Sequence, residues 1–234
     1  MADEEERPAK RFKYAVQCLP NSYSSLITAY YRLDFTETVN ITVGQDRKLF
    51  TVPKNLVDDS EWLSRETDQC NEDGDTVHLP GISPFMFKVY LHCKTTGKVD
   101  VMDNDDGKDE NGAREYLRLT HLYALTLELD DPELRDQIAD RFVELSVEVN
   151  ACPDMTTIRE AYYIKPEVWM LKELIVDLCI ALGGIEITIA IEEDKVPIQF
   201  LRDMTQAALR IGESEDRKFI TPAERMETDA DHYH

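Results

Sequence analysis

Positive charge is what this sequence has least of. It holds 26 Lys and Arg against 47 Asp and Glu, a formal net charge of −21. A nucleic-acid backbone or an anionic membrane surface calls for basic side chains, so the balance argues against both as partners. Cysteine is also sparse. Cys18, Cys70, Cys93, Cys152 and Cys179 are odd in number, widely spaced, and form no CxxC. That pattern reads as reduced thiols. The most apolar stretch, near 174–191, is interrupted by Asp177, Gly183-Gly184 and Glu186. It falls short of the roughly 20 apolar residues of a membrane span. Residues 1–13 (MADEEERPAKRFK) carry four acids and four bases, with no apolar segment behind them, so no signal peptide is expected. The expected location is intracellular, in the cytoplasm, the nucleus or both.

Signatures of chemistry are missing as well. There is no GxxxxGK[ST] or GxGxxG phosphate cradle, no GxSxG and no HExxH. Gly183-Gly184 follows a helical pattern, where a dinucleotide fingerprint would follow a strand. His92 and Cys93 are adjacent, and Cys70 precedes His78 by eight residues, so neither pair has zinc-ligand spacing. The acidic run at 100–112 fails as a calcium loop. With Gly107 at its sixth position, Met102 and Ala113 fall where oxygen ligands belong. His121 sits in an apolar helical stretch and reads as a core histidine. No catalytic, metal-binding or cofactor-binding residue is assigned, and no cofactor is expected.

What remains is a globular chain of 234 residues, 42% apolar and 9% aromatic. Residues 1–36 read as a leader with a short helix at 22–32. Thr38–Val43 alternates, with Val39, Ile41 and Val43 on one face. Gly44–Arg47 is a turn and Leu49–Val52 resumes the strand, giving a hairpin. Residues 54–66 pattern weakly as helix, and Thr76–Leu79 is a short strand. Ser83-Pro84 opens a helix that Gly97 ends. Residues 100–112 hold six acids and one lysine, a solvated loop. Glu115–Leu129 is helical. Asp131-Pro132 starts the next helix, with Leu134, Ile138, Phe142 and Leu145 on its buried face. Further helices are expected over 155–163, from Pro166 to Leu182 and over 197–211. The last of these is amphipathic and offers a candidate partner face. Ile185, Ile187, Ile189 and Ile191 alternate, which favours a strand, with a packed helix end as the other reading. Residues 212–234 read as a disordered acidic tail. Strands early and helices late define an α+β chain.

The runs Val39–Gly44, Leu49–Lys54 and Val77–Pro80 resemble a BTB/POZ domain. So does Phe85–Val99, which ends in a Thr-Thr-Gly turn, and so does Glu115–Leu145, with Tyr123-Ala124. The resemblance covers 37–147, with 100–112 as an acidic insertion. The stretch 158–182 followed by Phe200–Asp203 resembles the helical extension of filamentous-fungal members, here 148–211. The resemblance implies a BTB/POZ fold, a small mixed sheet with a helical cluster. It implies a non-enzymatic interaction scaffold, one form of which is a substrate adaptor of a cullin-type ubiquitin ligase. A self-associating transcriptional co-regulator without its own DNA-binding domain is the alternative. Val101-Met102-Asp103 matches the hydrophobic-x-acidic pattern of cullin-binding members, and the implied partner surface adds Tyr116, Leu119 and Tyr123. A homodimer would use Asn40, Lys54 and Trp62. Asn40 stands where many members carry Asp, and Pro53 where many carry His.

Overall fold

A computed structural model describes residues 37–60, 62–67, 76–102, 112–182 and 196–213. The leader with the helix expected at 22–32, the part of the acidic loop over 103–111 (Asp103 included), the alternating run 185–191 and the tail beyond 213 lie outside the described residues.

The chain opens with a hairpin of β1 (Thr38–Val43) and β2 (Lys48–Pro53), paired antiparallel from Thr38↔Pro53 to Val43↔Lys48. The β-branched alternation of β1 sends Ile41 and Val43 into the core, both fully buried. β3 (Val77–Leu79) joins the free edge of β1 in parallel, through Ile41↔Val77 and Val43↔Leu79. The sheet order is therefore β2-β1-β3.

Gly44 ties the hairpin to β3 and to the helix start at Pro84. Its φ is 78°, and its N–H donates to Leu79 O at 2.9 Å. A Cβ there would lie 2.9 Å from Pro84 Cγ, so only glycine lets the turn approach that helix this closely.

Two short helices, α1 (Lys54–Asp58) and α2 (62–67), separate β2 from β3. The helical cluster then continues as α3 (Pro84–Thr96), α4 (Ala113–Glu128) and α5 (Pro132–Val149). α6 (Met155–Tyr163), α7 (Trp169–Leu182) and α8 (Ile198–Glu213) complete it. Asp131 caps α5 as its sequence implied, accepting from Leu134 N at 3.1 Å with Pro132 in the first turn. Asp154 caps α6 in the same way, accepting from Thr157 N at 2.9 Å. Leu134, Ile138, Phe142 and Leu145 form the buried stripe of α5.

One cluster of buried side chains runs from Ile41 through α4 and α7 to Phe200. α6 packs on α4, α7 on α5 and α6, and α8 on α6 and α7. Residues 155–182 and the packed face of α8 thus continue the core of the first half. Several boundaries differ from the sequence reading: the helix expected over 54–66 is two short ones, α1 and α2, and α4 begins at Ala113 rather than Glu115. α7 begins at Trp169 rather than Pro166, because its first helical N–H···O bond runs from Lys172 to Val168. α8 continues to Glu213, two residues into the segment expected as tail. The fold is mixed α+β, a small three-stranded sheet with mostly helices.

Candidate partner-binding site

The end of α3 shapes the site. Gly97 adopts φ 65°, and its N–H closes on Cys93 O at 2.8 Å. The chain then doubles back beside the helix. The Asp100 carboxylate accepts from Met102 N at 3.2 Å, tightening the returning segment. Arg118 of α4 reaches across from below. Its Nη1 donates to Val101 O at 2.9 Å, and its guanidinium lies 5.0 Å from the centre of the Phe85 ring. Val101 is thereby buried and Met102 held half-buried at the rim.

The result is a cleft of about 210 Å³, with Phe85, Val89 and Met102 as its apolar surface and Lys88, His92 and Asp100 at its edge. Small-molecule sites occupy roughly 300–1,000 Å³, so this one is sized for a single partner side chain. Below it, burial pushes the Cys93 thiol up to about 11, which keeps it protonated and unreactive at neutral pH.

The structure separates the residues expected at this surface. Met102 reaches it. Val101 contributes its backbone and a buried side chain. Tyr116, Leu119 and Tyr123 do not reach it, because α4 is enclosed by α3, α5 and α6 and buries all three. Tyr116 donates to Ala151 O at 2.9 Å and stacks at a tilt 5.4 Å from Phe142, and so serves the core. A partner meeting this face would instead contact Phe85, Lys88 and His92, none of which the sequence reading placed at a partner surface. Their helical spacing of three and four along α3 was the signal available.

Asn40, Lys54 and Trp62 occupy different settings. Asn40 is exposed on β1 and accepts from Thr51 Oγ1 at 3.0 Å. Lys54 is half-buried at the start of α1, and Trp62 packs partly against the core. His121 is not the core histidine expected. Its side chain is 38% exposed, and its Nε2 faces Glu160 Oε1 at 3.7 Å.

Among the described residues no group of three His, Cys, Asp or Glu is placed to hold a metal ion. None of the described helices is long and apolar enough to cross a membrane. No protein family, curated protein or solved structure matches the chain.

Proposed function

We propose that the chain is a non-enzymatic protein-interaction scaffold of BTB/POZ type, acting as a substrate adaptor for a cullin-type ubiquitin ligase. The observation that carries this reading is Met102, held at the rim of a side-chain-sized cleft by Asp100 and Arg118. A thioether beside an aromatic ring is an adaptable apolar contact for a partner. The parallel pairing of β3 onto a β1–β2 hairpin, followed by helices, is compatible with the proposed fold.

The buried polar groups support a structural rather than a chemical role. Tyr90, Lys94 and Asp131 join one another and a helix start. Nearer the surface, half-buried Arg141 ties Glu115 to the exposed Glu148.

Titration calorimetry against a cullin amino-terminal domain tests the proposal, with Asp103→Lys as the control. Binding near 1 μM or tighter, lost in the variant, supports the adaptor reading. No heat at high concentration sinks it.

A further inference from the structure

α8 uses one face to join the core and leaves another bare. Phe200, Met204 and Ala207 point inward against α6 and α7, and Phe200 is fully buried edge-on to Tyr162 at 5.7 Å. On the other side, Ile198, Leu201, Thr205 and Leu209 succeed one another at intervals of three, four and four. That spacing makes one stripe on a helix. Ile198 is 67% exposed and Leu209 61%. The eleven steps from Ile198 to Leu209 span about three turns, or roughly 16 Å of helix axis.

The flank of that stripe is charged in an unusual way for this protein. A cleft of about 440 Å³ separates α7 from α8, and Arg202 and Arg210 line its α8 wall. The acids around the cleft are already engaged. Glu167 holds Lys172 at 2.9 Å, and Asp203 accepts from Tyr162 at 2.6 Å. Glu173 and Asp177 also have partners of their own. Arg202 and Arg210 have neither an ion pair nor a hydrogen bond among the described residues. Over 198–210, where exposure is described, α8 has no exposed acid. A chain of net charge −21 therefore carries an exposed apolar stripe beside two arginines that have no partner among the described residues.

We infer that α8 is a docking surface for an acidic amphipathic helix of a partner protein. The partner's apolar edge lies on Ile198, Leu201 and Leu209, and its carboxylates face Arg202 and Arg210. Helix-on-helix recognition of this kind uses anchors at the same three-and-four spacing. Charge complementarity decides against a basic occupant, which would meet the arginines. This surface uses different elements from the Met102 cleft, and it stands whether or not a cullin binds there.

The test is fluorescence anisotropy with a labelled synthetic helix of about 18 residues, about five turns. It carries Leu at three-and-four spacing with Glu on both flanks, and its counterpart carries Lys in place of Glu. The expected result is binding of the Glu peptide by the full chain at about 10 μM or tighter. Arg202→Glu/Arg210→Glu should weaken it about tenfold or more and acquire affinity for the Lys peptide. Ile198→Ser/Leu209→Ser should weaken both pairings, and circular dichroism checks that each variant keeps its helix content. Equal affinity for both peptides, or no binding at about 1 mM, overturns the proposal. So does a solution mass of two chains that Ile198→Ser/Leu209→Ser returns to one, which would make a second copy the occupant. Binding of the chain to phosphatidylserine vesicles through Arg202 and Arg210 would overturn it in favour of a membrane.

Discussion

Tyr90 donates its hydroxyl to Asp131 Oδ2 at 3.0 Å, and Lys94, one turn further along α3, meets the same oxygen at 3.0 Å. The other carboxylate oxygen of Asp131 caps α5. Asp131 is 1% exposed, so one buried carboxylate joins α3 to α5. Ser60 Oγ donates to Leu129 O close by, which brings the turn after α1 to the same point.

Asp131→Ala removes the cap and leaves Lys94, whose side chain is only 8% exposed, with the more distant Asp59 at 3.9 Å as its remaining carboxylate. The expected loss is about 3–5 kcal/mol, typical of breaking a buried pair from one side. Tyr90→Phe, which removes one hydrogen bond, should cost about 1–2 kcal/mol. Urea unfolding monitored by circular dichroism measures both, and equal losses would contradict the account.

Gly44 and Gly97 separate two effects of glycine. Both have positive φ, 78° and 65°. A Cβ at Gly44 meets Pro84, whereas one at Gly97 meets nothing within 4 Å. Gly97→Ala should cost about 1 kcal/mol from backbone strain alone. Gly44→Ala adds a clash and should cost about 2–3 kcal/mol. Chemical denaturation of the two variants checks the order.

Four buried phenols set the alkaline limit. Burial raises the Tyr90, Tyr116 and Tyr162 hydroxyls far above the usual tyrosine value, with neighbouring Asp131 and Asp203 adding to the effect at Tyr90 and Tyr162. Burial also pushes Tyr123 up to about 12. These phenols keep their protons in the native state after the unfolded chain has begun to lose them near pH 10. Their contribution to stability is complete below that pH and falls as pH rises through the folded values. Phenolate absorbance should show these four of the ten tyrosines titrating late, together with loss of helical signal. Ordinary titration of all ten would contradict it.

Met102→Glu should leave stability within about 0.5 kcal/mol, because Met102 is only half-buried at a rim. Phe85→Ala also removes the ring under Arg118, and about 1 kcal/mol of loss is expected from that contact. Thermal unfolding of the two variants distinguishes a surface residue from a supporting one.

Much of the helical framework was legible in the sequence. Asp131-Pro132, Asn-Ile-Thr-Val at 40–43 and the leucine spacing of α7 each announce local structure through capping, β-branching or period. The surface was less legible, for a physical reason. α4 buries Tyr116, Leu119, Leu122, Tyr123 and Leu125, which do not share one face. A helix covered on several sides leaves only a narrow polar stripe, here Arg114, Arg118, His121 and Glu128, from which to read which residues meet solvent. His121 shows the converse. It lies among apolar neighbours in sequence, yet stands beside Glu160 at the seam with α6, a contact 39 residues distant that local pattern does not encode. Phe85, Lys88 and His92 line a cleft with Met102 because the chain turns back after Gly97.

The most direct test of the proposed interaction surface is hydrogen exchange of the chain with and without a saturating cullin amino-terminal domain. Slowed exchange over 85–102, absent in Met102→Glu, is the predicted result. Unchanged exchange over 85–102, or protection confined to other segments, would contradict it.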